Sequence, residues 1–377
     1  MTIYILIVYL TFVGILSIFH KISTRLFNIN CILIFLIITL RGYDIGSVDT
    51  INYIDWCLGM GDSMYESGED TLEPLYVEYI HFLRKFVHNG TIFLLINAFL
   101  SLYPLYIIIK EKSENPHLSL MFFFMPLTIM HRFYFVCQRQ ILAVGVILMG
   151  IILFENISKK TYRFAIYILC TIIGFNLQHF SILLALFYVL FRSVSISRIN
   201  YIILLVGSLV LGLMLGGLKD FSFLADLYLM TQGNYIQLYR YSEAATHAGI
   251  ANFMQPVTAT LIAVGIAAYC DDKTFRSIYS KMYLIGVLFL NILVSTVEVY
   301  RLAAMFTIFG LVSLPTMITK MTYSNKYKVL EFVIVLSVVY WYYSYFWTMY
   351  SIYTGVKPMG FDTLVPYSFF WEDSYNY

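Results

Sequence analysis

Apolar runs of helical length recur along almost the whole chain, and they constrain its fold more than any other feature. A membrane-spanning helix needs about 20 apolar residues, within a range of roughly 17–25. The 377 residues are 60% hydrophobic and only 12% charged, whereas about 25% of a soluble domain is charged. The runs cover residues 2–19, 27–40, 91–109, 118–136, 141–155, 164–177, 180–191, 200–217, 254–270, 282–298, 301–318 and 329–349. They predict one integral membrane domain, residues 1–377, folded as an all-α polytopic helical bundle of about 12 transmembrane helices.

Basic residues divide the connections between these runs into two sets. Cytoplasmic connections carry an excess of Lys and Arg, and six short turns hold fifteen of the 24 basic residues. These are Lys21 and Arg25, Lys110 and Lys112, Lys159 to Arg163, Arg192 and Arg198, Lys273 to Lys281, and Lys320 to Lys328. Both termini and the long polar loops 41–90 and 219–253 are therefore predicted to be extracytoplasmic. The first apolar run has no basic residue before it, so we expect a retained span and not a signal peptide.

One polar break decides this assignment. Residues 176–179, Asn-Leu-Gln-His, separate the runs 164–177 and 180–191. If these runs formed a single span, every later connection would change side, and the basic turns after residue 270 would lie outside. The sequence thus favours two short spans that meet at the outer face.

Arginine is concentrated at the outer ends of the predicted spans. Arg41, Arg132, Arg139 and Arg301 all lie at such boundaries, and Arg240 lies in the second long loop. The planar guanidinium group binds phosphate oxygens in a bidentate manner, so this set is a candidate diphosphate-binding site. The alternative is that each arginine extends to lipid headgroups.

Short motifs on the same face resemble those of a known family. They are Arg41-Gly42-x-Asp44-x-Gly46-x-x-Asp49-Thr50-x-x-Tyr53, Glu73-Pro74-Leu75-Tyr76, Gln138-Arg139-Gln140-x-Leu142-Ala143, Gln178-His179-x-Ser181 and Tyr300-Arg301-Leu302-Ala303. From the first loop to about residue 310, the chain resembles the EpsG-like group of Wzy-type polysaccharide polymerases. The aromatic tail 350–377 has no counterpart in this resemblance.

The resemblance implies a membrane glycosyltransferase of GT-C type in the bacterial inner membrane. Such a protein moves a growing glycan from undecaprenyl diphosphate onto a fresh lipid-linked repeat at the periplasmic face, making O-antigen, capsule or exopolysaccharide. Its partners would be the lipid-linked donor and acceptor, membrane lipid and a regulator of chain length. No cofactor is expected beyond the lipid carrier.

The transfer needs a base for the acceptor hydroxyl and charge stabilisation at the leaving diphosphate. His179 is the first candidate base because an imidazole changes its protonation state near neutral pH. It could instead hydrogen-bond neighbouring helices or contact the acceptor. Carboxylates offer an alternative base, and the candidates are Asp44, Asp49, Glu73 and Glu298.

Several of these acidic residues also have a structural alternative. Asp44 could pair with Arg41, and Glu298 with Arg301, to which it is related by i, i+3 spacing. Asp49, Tyr53, Glu73 and Tyr76 are predicted to contact sugar. Tyr residues at this boundary could equally be interface anchors.

The sequence also argues against several classes of protein. A net charge of +2 gives no basis for nucleic-acid binding, and five unclustered cysteines predict neither a metal site nor a disulfide framework. A related transferase or O-antigen ligase using the same donor stays open, because it differs only in its acceptor. A flippase is less favoured, since the span centres carry few charges.

Overall fold

The computed structural model describes residues 2–42, 48–59, 73–126, 128, 133–135, 137–214, 254–292 and 297–354. Side chains are not described at residues 2, 48–49, 297–300 and 344–354 of these helices. The elements in the described ranges are helical, with no β-strand among them. The prediction of an all-α fold is therefore confirmed for this part of the chain. The chain divides into two compact units, so a single domain stays a prediction.

The first unit extends to Val189 and also includes the chain from Trp341 onward, while residues 125–128 belong to the second unit. Its helices are α1 (Thr2–Phe19), α2 (Thr24–Thr39), α3 (Val48–Leu58), α4 (Pro74–Arg84), α5 (Gly90–Lys112), α6 (Pro116–Phe123), α7 (Gln138–Asn156), α8 (Lys160–Leu177) and α9 (Ser181–Leu190).

The second unit contains the remaining helices. They are α10 (Arg198–Met214), α11 (Met254–Tyr269), α12 (Ile278–Ile292), α13 (Val297–Thr307), α14 (Gly310–Lys320) and the part of α15 (Tyr323–Thr354) up to Tyr340, with a 3₁₀ turn at Thr274–Arg276 between α11 and α12.

Polar residues between the apolar runs start several of these helices. The Asn89 side chain accepts a hydrogen bond from the backbone N–H of Thr91 at the start of α5. Asn115 does the same for Leu118 at the start of α6, where Pro116 occupies the first turn. Such caps satisfy backbone donors that have no partner within the helix. The short connections therefore terminate one helix and begin the next.

Helix α7 is apolar between its polar ends and is buried along most of its length. A Cβ added at Gly145 would lie 2.8 Å from Ser101 Cα in α5. One added at Gly174 in α8 would lie 2.8 Å from Ile147 Cγ1. These glycines bring the helices together, as small residues do in membrane bundles. The close packing fixes the position of the first turn of α7.

Large apolar side chains face outward on several helices of the first unit. Val8 in α1 and Ile168 and Ile172 in α8 are each more than half exposed. Contiguous apolar surface of this kind is unusual on a soluble monomer. Lipid, in contrast, solvates such side chains while the helical backbone satisfies its own hydrogen bonds.

Length and composition identify two described helices that could cross a membrane, α5 and α7. Residues Arg301–Thr307 and Gly310–Lys320 could form a third span as one bent pair, with an angle of 42° between them. Shorter apolar helices cover Ile3–Phe19, Thr24–Thr39, Ser181–Leu190, Arg198–Met214, Met254–Tyr269 and Ile278–Ile292. The described residues thus support a membrane protein, and the number of 12 spans stays a prediction.

The predicted interruption near His179 is confirmed, because α8 ends at Leu177 and α9 begins at Ser181. The predicted run 118–136 is wrong as one helix, since α6 ends at Phe123. Pro126 follows closely, and a proline disfavours helical backbone in the residue before it.

One further segment also differs from the prediction. The break expected between the apolar runs 282–298 and 301–318 falls inside α13, because charged side chains alone do not interrupt a helix, and the bend follows at residues 308–309. The polar loop 41–90 contains α3 and α4.

The second unit is held by a polar contact among its apolar helices. The Asn291 amide in α12 accepts from Thr260 Oγ1 in α11 at 3.0 Å and donates to Ser208 Oγ in α10 at 2.8 Å. Asn291 is buried, so these bonds satisfy a polar group that would otherwise be costly in an apolar environment. One side chain thereby links three helices.

Candidate functional site

Glu73 directly precedes α4 and occupies its N-cap position. Its side chain is 2% exposed and makes no capping hydrogen bond to its own helix. A buried carboxylate needs charged or hydrogen-bonding partners. Glu73 finds them on two other segments of the first unit.

Arg139 lies in the first turn of α7 and provides the first partner. Its Nη1 donates to Glu73 Oε2 at 2.6 Å, and 16% of its side chain is exposed. The N-terminal end of a helix carries partial positive charge, so a cation there is unfavourable without an anion nearby. Arg139 together with this helix end forms a positive site, and the Glu73 carboxylate balances it.

His179 lies in the break between α8 and α9 and provides the second partner. Its backbone N–H donates to Glu73 Oε1 at 3.0 Å. Its Nδ1 lies 3.7 Å from the same oxygen, and 27% of the side chain is exposed. That separation is too long for a hydrogen bond, but the carboxylate charge still acts on the ring. The imidazole also packs against the Phe175 ring, with 4.6 Å between centroids.

We refer to Glu73, Arg139 and His179 as the Glu73 cluster. Arg139 is 66 residues from Glu73 in sequence, and His179 is 106 residues away. The fold thus joins three of the sequence motifs at one point. The cluster combines an anion-binding guanidinium with an imidazole able to exchange a proton.

A buried hydrogen-bond network supports the first turn of α7. Tyr79 Oη in α4 donates to Asn97 Oδ1 in α5 at 2.7 Å. Asn97 Nδ2 donates to Gln138 Oε1 at 3.5 Å, and Gln138 Nε2 donates to the Tyr134 carbonyl at 3.2 Å. Gln138 precedes Arg139, so the network fixes the backbone that carries the guanidinium. Sequence reasoning missed Asn97, whose only signal was an amide within an apolar run.

Tyr53 and Tyr76, both predicted to contact sugar, lie in the hydrophobic core of the first unit. Tyr76 is fully buried and Tyr53 nearly so. Their rings meet edge to face with 5.4 Å between centroids, and Tyr53 makes a similar contact with Trp56. In this structure the two tyrosines pack α3 against α4, and their role in sugar binding stays a prediction.

Arg41 is also fully buried in the first unit. Its Nη1 donates to the Phe135 carbonyl at 2.5 Å, and its guanidinium lies 5.0 Å from the centre of the Phe135 ring. Thr50 Oγ1 donates to the same carbonyl at 3.3 Å. Phe135 is four residues before Arg139, so Arg41 secures the segment that leads into α7.

The other predicted site residues are not placed in the cluster. Arg301 is half-buried in α13 of the second unit. Asp44, Arg132 and Arg240 lie outside the described residues, and the helical residues Asp49 and Glu298 have side chains outside them. Their predicted roles stay predictions.

No group of three or more His, Cys, Asp or Glu side chains in the described part of the chain could hold a metal ion. The expectation of a metal-free site therefore remains a prediction.

The apolar helices and the buried Glu73 cluster define a helical membrane protein with a charged site at helix ends. The family model described as the EpsG family matches residues 24–369. The chain therefore belongs to the EpsG family, the Wzy-like polymerase family. The matched region includes every residue of the Glu73 cluster. No curated protein and no solved structure matches the chain.

Proposed function

We propose that the chain polymerises oligosaccharide repeats carried on undecaprenyl diphosphate into O-antigen, capsule or exopolysaccharide. Family membership supports a role in polysaccharide polymerisation. The observation that carries the proposal is the meeting of Arg139 and His179 at the buried carboxylate of Glu73. It supplies both an anion-binding group and a proton-exchanging group, which this transfer requires.

The proposed reaction is a single glycosyl transfer in each cycle. A hydroxyl oxygen of the acceptor repeat forms a bond to the anomeric carbon of the donor glycan. The bond between that carbon and the diphosphate oxygen breaks, and its electron pair leaves with undecaprenyl diphosphate. The hydroxyl proton passes to a base on the protein.

Arg139 is the proposed group that binds the donor diphosphate. Negative charge develops on the bridging oxygen as the glycosidic bond breaks, and a fixed guanidinium stabilises that charge. The proposal assigns this role to Arg139 and requires no cofactor, and the diphosphate contacts expected of Arg41, Arg132, Arg240 and Arg301 stay predictions of the sequence.

His179 is the proposed base for the acceptor hydroxyl. Because Nδ1 faces Glu73 at 3.7 Å, Nε2 is the nitrogen to which we assign the hydroxyl proton. Positioned acid–base groups typically contribute about 10²–10⁴-fold to a rate. Removing the imidazole should therefore reduce the rate of transfer far more than a packing defect would.

The proposed location is the bacterial inner membrane, with a GT-C-type bundle, both termini outside the cytoplasm and the Glu73 cluster at the periplasmic face. The basic turns between the apolar runs support this orientation. The Glu73 cluster lies at the end of α7 opposite Asn156, which leads toward the predicted cytoplasmic turn at Lys159. A regulator of chain length is a proposed partner.

Reconstitution of the purified protein with one defined lipid-linked repeat tests the function. A ladder of polymer is expected. A single transferred unit would instead favour a transferase or ligase, and unchanged lipid would contradict both.

Two substitutions connect that activity to the site. Arg139→Ala should abolish the ladder, and His179→Gln should reduce its rate by at least about 100-fold. The controls Arg276→Ala and His88→Gln change exposed residues and should leave the ladder intact. Wild-type ladders from both site variants at normal protein level would contradict the assignment of the site.

A further inference from the structure

The Glu73 side chain does not cap the helix that it precedes. Asp, Asn, Ser and Thr are the residues preferred at the N-cap, because their short side chains reach the first backbone N–H groups. Glu73 has N-cap backbone angles (φ −66°, ψ 134°) but makes no side-chain capping bond. Its longer side chain extends to Arg139 and His179. The Glu73 side chain therefore contacts the rest of the Glu73 cluster and does not cap α4.

Both carboxylate oxygens are engaged in the cluster. Oε2 accepts from Arg139 and Oε1 accepts from the His179 backbone. With 2% of the side chain exposed, water screens this charge weakly. An approaching sugar hydroxyl would therefore meet oxygens that already have partners. This arrangement suits a counter-ion better than the sugar contact expected from the sequence.

We propose that Glu73 is a positioning residue that holds the anion site of Arg139 while no donor is bound. When a donor diphosphate binds Arg139, the carboxylate gives up that partner and becomes the counter-ion of His179. This inference rests on the proposed function, because it requires Arg139 to bind the donor and His179 to accept the proton.

The physical basis is competition between two anions for one guanidinium. A diphosphate that binds Arg139 must displace the Glu73 carboxylate or tolerate its negative charge nearby. Either way, Glu73 weakens donor binding in the resting state. Once the carboxylate acts on His179 alone, it stabilises the imidazolium that forms when the acceptor hydroxyl loses its proton. Donor binding thus prepares the base for the acceptor.

This arrangement predicts opposite effects on binding and on turnover. Glu73→Gln removes the charge and keeps the shape, so it should bind undecaprenyl diphosphate about tenfold more tightly, the factor that one charge-assisted hydrogen bond corresponds to. Its turnover should fall by about 100-fold, because His179 loses its counter-ion. A residue that only supported the fold would weaken binding and reduce turnover together.

The experiment measures binding of radiolabelled undecaprenyl diphosphate to protein in phosphatidylcholine nanodiscs, with turnover measured on the lipid-linked repeat. Glu78→Gln is the matched control, since Glu78 is exposed on the same helix, and should change neither quantity. In an Arg139→Ala background, Glu73→Gln should no longer tighten binding.

Glu73→Asp keeps the test decisive if Glu73→Gln folds poorly. Aspartate is a favoured N-cap residue, so its carboxylate should cap α4 and withdraw from Arg139. We expect tighter donor binding than wild type, by a smaller factor than for Gln, together with reduced turnover.

The outcomes separate this inference from the proposed function. If the wild type binds donor and polymerises, but neither Glu73 variant binds more tightly, the inference is overturned and the function stands. If the wild type polymerises but binds no undecaprenyl diphosphate, the inference alone is overturned. If it leaves the lipid-linked repeat unchanged, both are overturned. Tighter binding with undiminished turnover would refute the link to His179.

Discussion

Removing the Arg139 guanidinium should destabilise the first unit because it leaves the Glu73 carboxylate buried beside apolar helices. Removing one partner of a buried ion pair typically costs about 3–5 kcal/mol. Glu73 would keep the backbone N–H of His179, which donates at 3.0 Å. We therefore expect Arg139→Ala to lower the free energy of unfolding by about 3 kcal/mol, the lower end of that range.

Removing the charge of Glu73 should lower the free energy of unfolding by less than removing Arg139 does. Glu73→Gln leaves Arg139, whose side chain is 16% exposed and therefore closer to water than the 2% exposed Glu73. We expect a cost of about 1 kcal/mol for Glu73→Gln and about 2 kcal/mol for the double variant, which strands no charge. The coupling free energy between the two positions is then about 2 kcal/mol in size, within the range for residues in direct contact.

Equilibrium unfolding in mixed detergent micelles, followed for the wild type, both single variants and the double variant, measures this coupling. Lys112 and Glu155, joined at 2.9 Å with side chains 25% and 15% exposed, provide a second pair for comparison. Both of its members are more exposed than Glu73, so its coupling should be less than half as large. Additive costs at Glu73 and Arg139 would show that the ion pair does not hold the cluster together.

Three further predictions concern packing, buried polarity and pH. Gly145→Ala should reduce the yield of folded protein, because its Cβ would lie 2.8 Å from Ser101 Cα. The control Gly207→Ala should not, because a Cβ there would have nothing within 4 Å. Equal yields of the two variants in fluorescence-detected size exclusion would contradict this packing. Asn291→Leu should lower the free energy of unfolding by about 1–2 kcal/mol, since it leaves the buried Thr260 hydroxyl without its acceptor and removes the donor to Ser208 Oγ. A neutral effect in the same micelle titration would refute the linking role. Burial raises the pKa of Asp55, which disfavours its ionised form in the folded state. Asp55→Asn should therefore raise the melting temperature at pH 7, with a gain that fades as the pH falls through the raised pKa and is gone below the usual value of about 3.9. A gain in melting temperature that grew as the pH fell would contradict this prediction.

Local sequence features predicted those parts of the fold that depend on neighbouring residues. Apolar runs gave the helices, and the polar residues Gln178 and His179 marked the break between α8 and α9. The prediction failed at residues 298–301, where charged residues continue as helix, and at 118–136, where α6 ends at Phe123. Both failures arise because hydropathy measures the preference for lipid and does not report where backbone hydrogen bonds end.

The candidate site was predictable only in part. The family motifs and the outer arginines selected Arg139 and His179, and Glu73 was named as a sugar contact and as an alternative base. Nothing in the sequence indicated that Glu73 bridges the other two, or that Arg41 is buried against the Phe135 carbonyl. Those contacts join residues on different helices, and a single sequence carries no measure of their separation in space.

The sequence by itself therefore determined a helical membrane protein, because the length and apolarity of each run are local properties that select helices in lipid. It also supplied the motifs of the EpsG family. Only the tertiary structure decided that a buried carboxylate meets a guanidinium and an imidazole from two distant segments. Close packing of α7 against its neighbours brings them together, and burial strengthens their electrostatic interaction by excluding water.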